Sequence, residues 1–114
     1  MSSEDCVFCN IINHTIASDI IFENDEIIVI PDILPKAPVH VLVISKAHIT
    51  SVDAIEDKHA SLLGSMILKA RDVAREKNIA PSGYKLIFNV GKDGGQTIKH
   101  LHLHMLGGKQ LAEI

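Results

Sequence analysis

The chain predicts an α+β domain with a mainly antiparallel, five-stranded sheet. Three features carry that expectation. Short β-branched runs lie on either side of one long amphipathic stretch. The order of elements is helix, strands, long helix, strands, so strands and helices do not alternate as in a doubly wound sheet. The last strand-like segment, "HLHLHML", alternates imidazoles with apolar residues at the period of a pleated strand.

"CVFCNII" places Val7, Phe8, Ile11 and Ile12 at the spacing of one helical face and predicts a short N-terminal helix. In "DIIFENDEIIVIPD" the runs Ile20 to Phe22 and Ile27 to Ile30 read as strands, joined by a turn over the polar "ENDE". Pro31 closes the second strand, because proline has no N–H to give the ladder. "LPKAP" is a loop. "HVLVISK", from His40, is a third strand with little alternation, as expected when both faces are buried. "DKHASLLGSMILKARDVAREKN" is the clearest helix, with Asp57 as N-cap. Its stripe runs through Leu62, Leu63, Met66, Ile67, Ala70, Val73 and Ala74. "APSG" closes that segment, "YKLIFNV" is a fourth strand, "GKDGGQT" a glycine-rich loop, and the histidine-bearing strand comes fifth.

With 114 residues the chain has the size of one domain, spanning 1–114. Apolar residues make up 46 %, enough for a core, but aromatics are only 4 %, so that core must be mostly Ile, Leu and Val. Net charge is -3 with acids and bases interspersed; no basic stripe indicates nucleic acid, and no apolar run approaches a membrane span. The opening "MSSEDCVFCN" lacks a cationic stretch followed by a long apolar one, so no secretory leader and a cytoplasmic location are expected. Cys6 and Cys9, at this spacing in a reducing compartment, point to free thiols, a redox pair or metal ligands rather than a structural disulfide.

His100, His102 and His104 fall on one face of a strand, roughly 6.6–6.8 Å apart along it, while Leu101 and Leu103 face the other way. Packing alone does not ask for a row of imidazoles, since each buried ring needs hydrogen-bond partners. One ion cannot collect all three: the outer pair would stand roughly 13 Å apart, against Zn–N bonds of about 2.0–2.1 Å. The chemistry that fits is a central imidazole acting as a nucleophile, with neighbours that orient it and hold an anion. "GKDGGQT", directly upstream, supplies backbone approach at Gly94 and Gly95 and donors at Gln96 and Thr97.

These motifs resemble the histidine triad (HIT) superfamily. "HLHLHMLGG" is similar to its His-x-His-x-His-x-x signature, "PDILPKAPVHVLVISKAHI" to its Asp-Ile-x-Pro-x-Ala-Pro-x-His segment, and "NVGKDGGQTIKH" to its Asn-x-Gly-x-x-Gly-Gln-Ser approach. The "LGG" that follows and the chain length favour the Hint-like branch. The resemblance implies a HIT-like fold whose sheet continues across a homodimer. It also implies binding of a purine nucleotide (AMP or GMP) and hydrolysis of the P–N bond of nucleoside 5′-phosphoramidates through a nucleotidyl-histidine. His102 falls on the nucleophile, His104 on a phosphate contact, and His40 on a fourth histidine that supports the triad with His100. Asp32 and Ile33 fall on the nucleoside pocket, Asp32 accepting from the ribose hydroxyls; Asn89, Gly95, Gln96 and Thr97 fall on phosphate-binding positions. Ile11 and Ile16 fall where the base is walled. On sequence alone Asp32 reads first as a turn-forming residue before "LP", and Ile11 and Ile16 could be ordinary core.

No cofactor is implied for catalysis. Family members that carry the cysteine pair can hold a structural zinc ion, with ligands that align here to Cys6, Cys9, His48 and His100; the alternative is two small buried thiols and a surface histidine. The short tail "KQLAEI" has no aromatic residue and leaves the amine preference open. Two other functions stay open beside the phosphoramidase: a nucleotide-binding regulatory module with incidental catalysis, and a dinucleoside polyphosphate hydrolase. His14 and His59 are expected at exposed positions without a role.

Overall fold

A computed structural model describes residues 6–114. The extreme N-terminus, which enters the expectation of no leader, lies outside the described residues. Helix α1 is Val7–Ile12, and strands β1 (Phe22–Glu23), β2 (Ile27–Pro31) and β3 (Val39–Ser45) follow. Helix α2 (Ala60–Glu76) comes next, then β4 (Tyr84–Ile87) and β5 (His102–Gly107). The five strands form one antiparallel sheet in the order β1-β2-β3-β5-β4. The tight β1–β2 turn is built by Asn24, whose Oδ1 accepts the N–H groups of Glu26 at 2.8 Å and Ile27 at 2.9 Å.

The period of two sorts side chains onto two faces. Ile27 and Val29 of β2, Val41 and Val43 of β3, and Leu103 and Met105 of β5 join Leu62, Met66, Ala70, Val73 and Ala74 of α2 in the larger core. Ile28, Ile30, Leu42 and Ile44 face the other way and close with Cys6, Phe8 and Ile11 of α1 into a smaller one. An antiparallel sheet covered on both faces explains why β2 and β3 read as continuous apolar runs. The histidines of β3 and β5 occupy even positions, so they share the α1 face: His104 pairs across the ladder with Leu42, and His102 with Ile44.

Several boundaries differ from expectation. β5 begins at His102, because the chain bends at residues 98–100 and the His100 N–H turns to the carbonyl of Ile98 at 2.9 Å. His100 therefore precedes the strand, although its ring stays on the same face. β4 stops at Ile87 rather than running to Val90. Asp57 does not cap α2; it opens a 3₁₀ turn, Asp57–His59, that precedes the helix. There the N–H of Glu56 donates to His59 Nδ1 at 3.0 Å, which leaves His59 half-buried rather than exposed. Ile67 lies outside the buried stripe at 44 % exposure, since α2 turns only Leu62, Met66, Ala70, Val73 and Ala74 fully inward. The helix stops at Glu76, before "APSG", and Asn78 takes the left-handed conformation at φ 62°. Among the described residues no helix is long and apolar enough to cross a membrane.

Candidate active site and metal cluster

A cavity of about 520 Å³ opens on the α1 face of the sheet. Val7, Phe8, Ile11 and Ile16 form one apolar wall, with Ile30, Leu42 and Ile98 behind. Asp32, His40, His102 and His104 bring polar groups from β3, β5 and the loop after β2; Asn89, just before the glycine-rich loop, and Gly95 and Thr97, within it, complete the lining. Ile33 stands at the rim, 88 % exposed. Mixed apolar walls with a few convergent polar groups are what a small-molecule site requires.

The protonation pattern follows from the partners. A carbonyl can only accept, so the 2.6 Å contact between His102 Nδ1 and the His100 carbonyl places the proton on Nδ1 and leaves Nε2 with a free lone pair. His40 Nδ1 accepts the N–H of Lys36 at 3.0 Å, so its own proton sits on Nε2. That N–H donates to His104 Nδ1 at 2.9 Å, and Asp32 Oδ2 lies 3.4 Å from the same nitrogen. His104 must then carry its proton on Nε2. Burial holds His102 and His40 below the usual imidazole range. His104 is pushed down to about 4, by burial first and then by the neighbouring His102 and His40 rings. All three rings are neutral near pH 7, one presenting a nucleophilic nitrogen and one an N–H donor.

Asp32 serves two structures at once. Its Oδ1 accepts the N–H of Leu34 at 2.9 Å, the turn expected from "DILP", while Oδ2 faces His40. Asn89 Nδ2 donates to the Gly94 carbonyl at 2.8 Å and steadies the glycine-rich loop. Gln96 does not line the main cavity. Its Nε2 donates to the carbonyls of Thr50 at 2.7 Å and Ile98 at 3.0 Å, and its Oε1 accepts the N–H of Gly91 at 2.9 Å. It shapes the loop, and borders a smaller cavity of about 400 Å³ that shares Gly95 and Thr97 with the first. Lys36 and Phe8 also line the main cavity and were not singled out from the sequence. Lys36 stands four residues before His40 in "KAPVH", and that spacing was the one clue to it. Phe8 was legible only as a core residue.

His100 is fully buried and belongs to a second constellation. Its Nε2–H donates to the Ser45 carbonyl at 2.6 Å, so the Nδ1 lone pair points at Cys6 Sγ (3.2 Å), Cys9 Sγ (3.5 Å) and His48 Nδ1 (3.1 Å). His48 Nδ1 lies 3.2 Å from Cys9 Sγ, and Cys6 Sγ accepts the N–H of Cys9 at 3.2 Å. A tetrahedral zinc ion with Zn–N of about 2.0–2.1 Å and Zn–S of about 2.3 Å has ligand–ligand edges of roughly 3.3–3.8 Å, near the observed spacings. Burial and the adjacent Cys6 push the Cys9 thiol up to about 11, a burden that a bound cation would relieve by taking the thiolate. The donor set and the outer hydrogen bond on His100 fit zinc. Asp32, His40 and His104 also cluster, but there the outer nitrogen of His40 accepts rather than donates, which leaves a proton where a metal would need a lone pair.

The chain matches the family model described as scavenger mRNA decapping enzyme C-term binding over residues 5–113. Its fold superposes on a HIT family hydrolase from Clostridium thermocellum with a TM-score of 0.94 at 44 % identity, covering 99 % of this chain and 98 % of that one. A histidine triad protein from Clostridium difficile gives a TM-score of 0.94 at 38 % identity, covering 100 % and 99 %. The chain belongs to the histidine triad family. Among its relatives, the purine nucleoside phosphoramidase of Escherichia coli K12 is 39 % identical over 109 residues, 96 % of this chain and 92 % of that one.

Proposed function

We propose that the protein hydrolyses purine nucleoside 5′-phosphoramidates to AMP or GMP and an amine. The observation that carries this reading is the proton assignment: His102 offers Nε2 as a lone pair inside a nucleoside-sized cavity, beside the Nε2–H of His104. His102 Nε2 attacks the α-phosphorus, forming a P–N bond to the ring while the bond to the amine breaks. The amine leaves with the Nε2 proton of the neighbouring His104, and the oxyanion is met by donors of the glycine-rich loop. Water then attacks the same phosphorus and gives a proton back to His104, while the bond from phosphorus to the ring breaks, releasing the nucleotide and restoring neutral His102 and His104. In this reading the reaction needs no metal at phosphorus. The Cys₂His₂ cluster, with all four ligands from protein, holds a structural zinc ion. Asp32 accepts from the ribose hydroxyls, with Ile11, Ile16 and Ile33 around the base and Asn89, Gly95 and Thr97 around the phosphate.

The relationship to the E. coli enzyme supports the substrate class. The test is His102→Ala, which should abolish amine release from an adenosine phosphoramidate and leave the fold intact; retained turnover refutes the assignment. Offering a diadenosine polyphosphate beside the phosphoramidate separates this activity from that of a dinucleoside polyphosphate hydrolase.

The same reading includes a homodimer. β4 is an edge strand, Leu86 on its α2 side is 38 % exposed, and Ile67 and Leu68 of α2 are 44 % and 50 % exposed. An open edge beside apolar side chains favours strand addition by a second copy. Leu86→Arg should convert the protein to a monomer in sedimentation; a wild-type chain that already sediments as a monomer rules the dimer out.

A further inference from the structure

Helix α1 does two jobs. Cys6, its N-cap residue, and Cys9, in its first turn, supply half of the metal-binding cluster. Val7, Phe8 and Ile11, from the same six residues, form a wall of the nucleotide cavity. So short a helix does not hold itself together in water and depends on what anchors it. Its anchors are the burial of Phe8 and Ile11 and the cluster itself.

Two contacts join the cluster to the reacting ring. Phe8 stands edge-on to both His100, at 5.9 Å between centroids, and His102, at 5.0 Å. His100 gives its Nδ1 to the cluster and its carbonyl to the His102 Nδ1–H. The Nδ1 atoms of His48 and His100 face each other at 3.1 Å with two sulfurs alongside. Two weak S–H donors can meet the two Nδ1 lone pairs, but a cation replaces those contacts with four coordinate bonds and holds the same groups far more tightly.

We propose that Cys6, Cys9 and His48 are positioning residues for the active site. A divalent ion held by them and His100 fixes α1 as the pocket wall and fixes the carbonyl that orients His102, so metal and nucleotide bind cooperatively. This rests on the nucleotide reading above. Linkage makes the effect reciprocal: the factor by which zinc tightens AMP binding must equal the factor by which AMP tightens zinc binding. Couplings of this kind are commonly 5–150-fold.

The test uses zinc(II)-loaded protein and AMP. Zinc transfer to a chromophoric chelator is followed with and without saturating AMP, and AMP affinity is measured by calorimetry before and after zinc removal, with circular dichroism reporting the fold. AMP should slow zinc transfer at least fivefold, and removal of zinc should weaken AMP binding by a similar factor. Phe8→Leu, which keeps apolar bulk and removes the ring contacts, should shrink the effect of AMP on zinc transfer. That comparison holds even where the stripped protein unfolds, because both proteins in it are zinc-loaded. Equal AMP affinity with and without zinc in a folded chain, zinc transfer indifferent to AMP, or a Phe8→Leu protein with undiminished coupling overturns the proposal. So does failure to take up zinc. AMP that fails to bind the zinc-loaded protein at all overturns the nucleotide reading itself, a result distinct from equal binding in both states.

Discussion

His104 Nδ1 lies 2.9 Å from His40 Nε2, and the backbone N–H of Lys36, 3.0 Å from the far nitrogen of His40, decides which way the proton between them points. A main-chain amide thus sets the tautomer of a ring in the cavity through an intervening imidazole. The loop that carries the Lys36 amide also carries Asp32, so one segment lines the cavity and sets the His104 tautomer.

Removing that intermediary should damage turnover more than binding. His40→Ala frees His104 to adopt either tautomer, and kcat for an adenosine phosphoramidate should fall by about 10²-fold, the scale of general acid–base contributions. The KM should change little. Steady-state kinetics decides it: an unchanged kcat would mean that His104 does not depend on His40.

Asp32→Asn keeps an oxygen for the Leu34 N–H, so the turn survives, but removes the charged acceptor that faces the cavity. Nucleotide affinity should fall about tenfold, roughly 1.4 kcal/mol. A 2′-deoxy substrate should lose much less on the same substitution. Equal losses for both sugars would take Asp32 out of ribose recognition.

The pH dependence has a definite sign. His102 must be neutral to attack, and burial lowers its pKa, so activity should persist below the ordinary imidazole value of 6.5 and fail only as pH drops further. Stability behaves in parallel. A histidine whose folded pKa lies below its unfolded value takes up a proton first in the unfolded chain, which favours unfolding. For His104 that destabilisation grows as pH falls from 6.5 towards about 4 and is absent above 6.5. Urea denaturation across this window should show a falling midpoint in the wild type and a shallower fall in His104→Asn. Identical slopes would show that His104 is not buried neutral.

Much of this was legible from the chain. The five strands, the long helix and the shared face of the three histidines follow from periodicity, which the antiparallel ladder preserves. His100 leaving the strand was not legible, because the cause is a local hydrogen bond to Ile98 that has no sequence signature. Nor was the outward turn of Ile67: an apolar residue at helical spacing reads as core whether or not anything packs on it. Asp32, His40, Asn89, Gly95 and Thr97, the positions that the resemblance named, all border one cavity. Gln96 stands beside them in sequence, yet its amide is taken up by three backbone groups of its own loop and its surroundings. Spacing alone could not bring Cys6 and Cys9 to His48 and His100, since contacts across 39 to 94 residues depend on the completed sheet.

In the proposed reaction His102 Nε2 becomes bonded to phosphorus. Rapid acid quench of the protein with excess adenosine phosphoramidate, followed by peptide mass spectrometry under conditions that preserve phosphohistidine, tests it directly. An adenylyl group should appear on His102 and be absent from His102→Ala. An adduct on another residue, or full turnover with no covalent species at His102, would contradict it.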